Sequence, residues 1–125
     1  MKIVEYGQYG GVDVLELVDR PAPQSGPGEV LIDIRAAGVN PFDWKLRSGY
    51  LQKFFQVEFP VHPGNEGSGV VVAFGADVTE FKPGDEVSFL SRNIKQGCYA
   101  EQVAIETEHV VHKSTNISFV EAAAW

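Results

Sequence analysis

The sequence predicts a mainly β fold with two short helices, and three features of the chain lead to that prediction. The segment EVLIDIRAAGV, residues 29–39, alternates apolar and charged side chains at its start, which is typical of a half-buried strand. The segment GVVVAFG, residues 69–75, is a continuous apolar run, which indicates a strand covered on both faces. Turn-forming residues separate such segments, and Pro83-Gly84 is a pair that a type II turn prefers.

The remaining predicted strands are short and bounded by glycine, proline or polar turn residues. They are MKIVEY (residues 1–6), VLELVD (14–19), the segment that follows Pro83-Gly84, CYAEQVAI (98–105) and HVVHK (109–113).

The first helix is predicted from its two ends. Asn40 can cap it, and Pro41 suits the first helical position. Gly49 suits a left-handed end, so the helix is expected over residues 41–48.

The second helix is predicted from Ser118 and Glu121, which have the spacing of a capping box and are followed by an alanine run. The sequence reaches Trp125 without a glycine or a polar end to this helix. We therefore expect the chain to be the front portion of a longer protein.

Composition narrows the class of protein. The 125 residues amount to one domain, and the 44% hydrophobic and 22% charged residues are ordinary for a globular protein. The net charge of −7 and the scattered Lys and Arg residues argue against a nucleic-acid partner. No apolar run approaches the ~18 residues that span a bilayer, so no membrane partner is expected. The absence of a leader and the single cysteine, Cys98, predict a cytoplasmic protein without an intramolecular disulfide.

The glycine run HPGNEGSGVVV, residues 62–72, does not have the order of a dinucleotide fingerprint. Gly64, Gly67 and Gly69 read G-x-x-G-x-G, and the β-branched run that follows them resists helix formation. Without a helix N-terminus no fan of amides can hold a pyrophosphate. We interpret the glycines as sites where the strand bends or another backbone comes close.

Two segments carry a resemblance to a known family. HPGNEGSGVVVAFGADVTEFKPGDEV (62–87) resembles the G-H-E-x-x-G-x-G-x-V segment of the medium-chain dehydrogenase/reductase superfamily. AAGVNPFDWKLRSGY (36–50) is similar to its quinone oxidoreductase branch, the non-zinc relatives of alcohol dehydrogenase. The resemblance implies that residues 1–125 form a GroES-like, partly open β-barrel on the substrate side. It also implies a Rossmann domain that binds NADP(H) or NAD(H) and is absent from this chain.

The resemblance also bears on metal binding. Zinc-dependent members place a cysteine where this chain has Asn40 and a histidine where it has Asn65. An amide is a weak zinc ligand beside thiolate or imidazole, and of that motif only Glu66 remains. The four-cysteine structural zinc lobe of the family is missing too, because Cys98 stands alone. No metal site is predicted.

Other residues with chemical potential have structural interpretations. His109 and His112 are three positions apart, so they lie on opposite faces of a strand and cannot easily share a metal. Cys98 is expected in the core, and His62 in a loop, with a place in the lining of the cleft as the alternative. Trp44 and the aromatic residues of 53–59 either pack in the core or flank a substrate.

By resemblance, Asn40 and Asp43 face the nicotinamide and the acceptor, with Lys45 beside them on the cofactor side. Asn40 has the helix cap as an alternative role. The carboxylate of Asp43, at the third helical position, interacts favourably with the helix dipole even without a role in the site. Tyr50 corresponds to a tyrosine of the substrate pocket, with a match that can slip by one position. Lys45 departs from quinone reductases with an aromatic residue there and agrees with an NP-x-DWK subgroup. The predicted catalytic residues are Asn40 and Tyr50.

Without a metal, the developing negative charge must be held by hydrogen-bond donors, and Asn40, Lys45 and Tyr50 are available near the short helix. Quinones and enones suit such a site because hydride addition gives a delocalised anion. We therefore expect the full-length protein to reduce quinones or α,β-unsaturated carbonyls with NADPH, as a homodimer, and this chain alone to be inactive. The alternative from another class is a stand-alone GroES-like binding or assembly module.

Overall fold

The structure is a computed structural model that describes residues 1–124, and it is mainly β as predicted. Its strands and α-helices follow one another in this order: β1 Lys2–Glu5, β2 Glu16–Asp19, β3 Glu29–Ala37, α1 Pro41–Arg47, β4 Glu66–Phe74, β5 Glu86–Leu90, β6 Gln102–Glu106, β7 Val110–His112 and α2 Phe119–Ala123. Single 3-10 turns, Val12–Val14 and Thr107–His109, precede β2 and β7.

The strands form two antiparallel sheets. β1 and β2 form a two-stranded sheet, and the larger sheet has the order β6-β3-β4-β5-β7. Two isolated bridges, Ile3 with Ala100 and Tyr6 with Val61, join the chain around β1 to later segments. Within residues 1–124 the edge strands β6 and β7 do not pair with each other, so the barrel is partly open. The predicted GroES-like fold is confirmed.

β3 shows why the alternating pattern makes a strand. Val30 and Ile32 are fully buried, whereas Arg35 is exposed. Their face packs against apolar residues of β4, β5, β6 and β7 to form the main core, which holds Val30, Ile32, Val71, Val78, Phe81, Val87, Phe89, Cys98, Val103, Ile105 and Val110. Cys98 is thus a core residue, as expected, and burial raises the pKa of its thiol to about 12.

The prediction that residues 69–75 are covered on both faces is wrong. Val71 is fully buried, but Val72 is 37% exposed and Phe74 is 48% exposed. The reason is the position of α2, which is fixed to the beginning of β4 by a hydrogen bond of 2.6 Å from Ser68 Oγ to the carbonyl of Phe119. The second half of β4 therefore has one face in solvent.

The helix ends agree closely with their signals. α1 begins at Pro41 and stops at Arg47, one residue earlier than expected, and Gly49 has the left-handed φ of +84° that ends it. Ser118 Oγ accepts a hydrogen bond from the Glu121 backbone N–H, and the Glu121 carboxylate accepts one from the Ser118 N–H, so the capping box is confirmed. The expected open end of α2 at Trp125 lies outside the described residues.

Candidate functional site

Three polar side chains lie together where α1 and β4 begin, and we call them the polar triad: Asn40, Asn65 and Glu66. The side-chain Nδ2 of Asn40 donates to Asn65 Oδ1 at 3.2 Å and to Glu66 Oε1 at 3.1 Å. Gly38 makes room for this arrangement, because a Cβ there would lie 2.1 Å from Glu66 Oε1. The triad therefore joins residues that are 25 and 26 positions apart in the sequence.

Asp43 supports the triad from inside the helix. Its Oδ2 accepts a hydrogen bond of 2.9 Å from the Asn40 backbone N–H, while its own N–H donates to the Asn40 carbonyl at 3.0 Å. Tyr99 donates its hydroxyl to the same Oδ2 at 2.6 Å. Burial, followed by the hydrogen bond to Asp43, raises the pKa of the Tyr99 hydroxyl. Asn40 is thus held by its backbone while its amide nitrogen serves the triad.

A cleft of about 410 Å³ opens beside the triad. Its polar and charged lining residues are Asp43, His62, Asn65, Ser91, Arg92 and Asn93, and its apolar wall comprises Phe42, Leu46, Phe55, Val61, Leu90 and Ile94. Such a volume is within the range of about 300–1,000 Å³ that is typical of small-molecule sites. The cleft is therefore suited to a small, largely apolar ligand with a polar group near Asn65.

Aromatic rings shape two parts of the cleft. Phe42 and Phe55 meet edge to face, with ring centroids 5.7 Å apart. Tyr6 is only 1% exposed, and within residues 1–124 its hydroxyl has no hydrogen-bond partner. Burial raises the pKa of that hydroxyl to about 12.

Lys45 and Tyr50 do not lie with Asn40 and Asp43. Tyr50 is 72% exposed, and its ring packs against Trp44, with centroids 6.4 Å apart. The Lys45 ammonium lies 5.7 Å from the centre of the Trp44 ring. Asp43 and Leu46 form the inner face of α1, so Trp44 and Lys45 fall on its outer side. The proposed roles of Lys45 and Tyr50 stay predictions from the resemblance.

The neighbouring residue, Leu51, partly explains why Tyr50 does not lie in the predicted pocket position. It packs against the buried cluster of Tyr6, Leu46 and Val61, which borders the cleft. The position one residue after Tyr50 is therefore the inward one.

Two contacts of the site escaped the sequence analysis. Tyr99 lies 56 positions from Asp43, and nothing local to either residue marks the bond between them. His62 lines the cleft, with its Nε2 3.3 Å from Glu5 Oε1 and its Nδ1 3.1 Å from the Lys95 carbonyl. Both contacts depend on the tertiary fold alone.

The histidines near the end of the chain are separate, as expected. His112 packs against Phe81, with ring centroids 4.7 Å apart. His109 lies near Glu106 and Glu108, with all three possible ligand atoms within 4.8 Å of one another on the protein surface. Exposed acidic groups of this kind are common without an ion.

The polar triad does not match a zinc site. The atom that Asn40 turns toward its neighbours is an N–H donor, which has no lone pair to offer a metal. The other members present an amide and a carboxylate, where zinc prefers thiolate and imidazole.

The glycine run serves close packing, as interpreted. A Cβ at Gly69 would lie 2.0 Å from the Asp33 carbonyl oxygen, and one at Gly67 would lie 2.9 Å from that of Ala36. Gly64 has a φ of +97° before the chain enters β4. A strand follows the run, so it does not provide a helix N-terminus for a cofactor phosphate.

The fold and the site define a class of protein. The sequence profile of the alcohol dehydrogenase GroES-like domain matches residues 26–115, and the chain belongs to this family.

Three relatives indicate which branch of the superfamily this chain resembles. The chain is 37% identical over 124 residues to the chloroplastic quinone-oxidoreductase QR1 of Triphysaria versicolor, covering 98% of this chain and 38% of the relative. It is 37% identical over 123 residues to a quinone oxidoreductase of Pseudomonas aeruginosa, covering 98% and 36%. The Escherichia coli quinone oxidoreductase complexed with NADPH superposes with a TM-score of 0.90 at 27% identity, covering 98% and 36%. The chain therefore spans well under half the length of these relatives, whose names support the quinone oxidoreductase branch of the superfamily.

Among residues 1–124, no helix combines the length and the apolar character needed to cross a bilayer.

Proposed function

We propose that this chain is the substrate-side domain of a larger NAD(P)H-dependent oxidoreductase that reduces quinones or α,β-unsaturated carbonyls without zinc. The family membership and the names of the relatives support the oxidoreductase class. The chain covers only 36–38% of these relatives. In this proposal the Rossmann cofactor domain lies in another part of the protein.

The observation that carries the zinc-free assignment is the orientation of Asn40. Its amide nitrogen donates toward Asn65 and Glu66 at the position where zinc-dependent relatives are expected to place a thiolate. Without a Lewis acid, the acceptor must itself spread the charge that hydride addition creates. Quinones and enones do so, because the products are a delocalised hydroquinone anion or an enolate.

The cleft supplies the environment for such an acceptor. Its wall is mostly apolar and includes Phe42 and Leu46, and hydrogen bonds and dipoles act more strongly beside such a surface than in bulk water. The carbonyl of the acceptor is expected to lie on the side of Asn65, which has an amide, rather than beside the Asp43 carboxylate, which would repel the developing charge.

A reduced nicotinamide supplies the hydride when it is bound, and NADPH is the expected form. Asn40, Asp43 and Lys45 are the residues of this chain that the resemblance directs toward it. Tyr50 remains the proposed catalytic partner of Asn40. That the full-length protein is a homodimer and lies in the cytoplasm stays a prediction. One of the relatives, that of Triphysaria versicolor, is a chloroplastic protein.

The test is steady-state kinetics of the full-length protein with NADPH and three acceptors, a quinone, an enone and a saturated aldehyde. We expect turnover of the quinone or the enone, little turnover of the aldehyde, and no effect of a zinc chelator. Failure with both unsaturated classes contradicts the proposal, and so does stoichiometric zinc by elemental analysis. A calorimetric titration of the 125-residue chain is expected to detect no binding of NADPH, whereas micromolar affinity contradicts the division of roles.

The same preparations distinguish the assembly-module alternative. If the chain is a stand-alone assembly module, it is expected to form a defined oligomer by itself in size-exclusion chromatography. The full-length protein is then expected to have no reductase activity.

A further inference from the structure

We propose that Asn65 is a catalytic residue whose side-chain amide nitrogen donates a hydrogen bond to the carbonyl oxygen of the acceptor. This inference rests on the proposed function and names the group of this chain that meets the reacting oxygen. It follows from the order of donors and acceptors in the polar triad.

The direction of the hydrogen bonds starts at Glu66. A carboxylate oxygen only accepts, so Asn40 must present its Nδ2 to Glu66 Oε1, at 3.1 Å. The same nitrogen lies 3.2 Å from Asn65 Oδ1, which therefore acts as the acceptor. Of the two flipped orientations of the Asn65 amide, only the one with its oxygen toward Asn40 satisfies both bonds.

This orientation leaves the Nδ2 of Asn65 directed away from Asn40. Asn65 is half-buried and lines the cleft, and no hydrogen bond among residues 1–124 uses its Nδ2. An uncommitted donor thus stands at the polar end of an otherwise largely apolar cleft.

Lys45 and Tyr50 pack on Trp44 and do not line the cleft. The other two residues expected to meet the acceptor are already engaged. The amide nitrogen of Asn40 serves Asn65 and Glu66. Asp43 Oδ2 accepts from both the Asn40 N–H and the Tyr99 hydroxyl, and a carboxylate has no proton to donate. Asn65 is therefore the member of this group with a free N–H.

The chemistry requires such a donor. The hydride from a reduced nicotinamide forms a new C–H bond, and the π electrons of the acceptor move onto its carbonyl oxygen. The acceptor gains two electrons and the nicotinamide loses two. The Asn65 N–H stabilises the anionic oxygen while keeping its proton, and the product takes its proton from solvent.

The experiment uses the full-length protein with NADPH and a simple quinone. Asn65→Asp keeps the size of the side chain and removes the donor, and Asn65→Ala removes the whole amide. We expect both variants to lower kcat by about a hundredfold or more, with a smaller change in KM, because the bond strengthens as charge develops on the oxygen. Asn116→Ala is the matched control, since Asn116 is exposed, does not line the cleft and accepts a hydrogen bond from Ser114 Oγ through its Oδ1. Its kcat is expected within threefold of wild type.

The outcomes separate the two proposals. If the wild type reduces neither quinones nor enones, the proposed function fails and this inference falls with it. If the wild type is active and folded Asn65→Ala keeps kcat within threefold, only the role of Asn65 is overturned.

A second measurement does not depend on variants that fold. In full-length protein with ¹⁵N-labelled asparagine, titration with the quinone is expected to shift the side-chain amide signal of Asn65 and to leave that of Asn116, which does not line the cleft, unchanged. A saturating titration without a shift at Asn65 overturns the contact.

Discussion

The hydroxyl of the half-buried Tyr99 and that of the buried Tyr6 have opposite surroundings. The Tyr99 hydroxyl donates to the Asp43 carboxylate at 2.6 Å, whereas within the described residues the Tyr6 hydroxyl has no partner. A bond to a charged group stabilises a fold, while a buried hydroxyl without a partner costs free energy. The two residues therefore allow a matched comparison.

We predict that Tyr99→Phe lowers the free energy of unfolding by about 1–2 kcal/mol, because Asp43 loses a charge-assisted bond. Tyr6→Phe is expected to leave it unchanged or to raise it by up to about 1 kcal/mol, because it removes an unpaired hydroxyl. Urea denaturation of both variants measures the difference. Equal losses in the two variants contradict the assignment of partners.

At this scale the sequence was informative only where partners are close along the chain. The N-P-x-D order places Asp43 at the third helical position, within reach of the Asn40 N–H, and that link is present at 2.9 Å. The bond from Tyr99 depends on the path of the chain between β5 and β6, which no local pattern specifies.

Among the elements, α2 depends on a single buried side-chain bond to the sheet. Ser68 is fully buried in β4, and its Oγ donates to the Phe119 carbonyl in the first turn of α2. The same carbonyl is four residues before Ala123, the spacing of a hydrogen bond within the helix, so Ser68 adds a tertiary bond to it. The helix has only five residues, so its stability comes from its contact with the sheet rather than from its own propensity.

We predict that Ser68→Ala destabilises the protein by about 0.5–1.5 kcal/mol, because the Phe119 carbonyl loses the hydrogen bond that joins α2 to β4. Amide hydrogen exchange is expected to accelerate in α2 more than in β3. Ser48→Ala is the control, since Ser48 donates to the Lys45 carbonyl at an exposed position and its loss costs less than about 0.5 kcal/mol. Unchanged exchange in α2 contradicts the anchoring role of Ser68.

Both ends of α1 and the beginning of α2 were predictable to within one residue because their signals are local, as the capping box of Ser118 and Glu121 demonstrates. The exposure of one face of β4 could not be predicted in this way. Its apolar run from Val70 to Phe74 resembles a strand covered on both faces, but coverage depends on where α2 lies, and that is a property of the tertiary fold.

At the scale of the whole molecule, Glu5 joins the small sheet to the cleft. It is 6% exposed, and its carboxylate receives two hydrogen bonds from the Arg20 guanidinium, at 3.0 and 2.7 Å. Its Oε1 also lies 3.3 Å from His62 Nε2. The bonds from Arg20 hold the pKa of Glu5 below its ordinary value of 4.5, although burial opposes them.

We predict that Glu5→Gln reduces the stability of the protein near neutral pH by about 1–2 kcal/mol, because both bonds from Arg20 lose their charge assistance. A carboxyl whose folded pKa is lowered stabilises the fold fully above pH 4.5, and this contribution disappears as the pH falls through the folded pKa. The gap between wild type and variant is therefore expected to close below pH 4.5.

Urea unfolding at a series of pH values measures that gap. Glu58→Gln, at an exposed position, is the control and is expected to follow the wild type throughout. A gap that stays constant down to acid pH contradicts the role of the Glu5 charge.

The order of the strands could not be predicted from single segments, and it has a consequence for protein synthesis. β3 is enclosed by β4 on one side and by β6 on the other, and β7 closes the far edge. When β3 has just been synthesised, neither of the strands that pair with it, β4 and β6, is available. The side chains of Val30 and Ile32 are then exposed to solvent. The five-stranded sheet can be completed only after synthesis has passed residue 112, so β3 has one unpaired edge until β6 has been made.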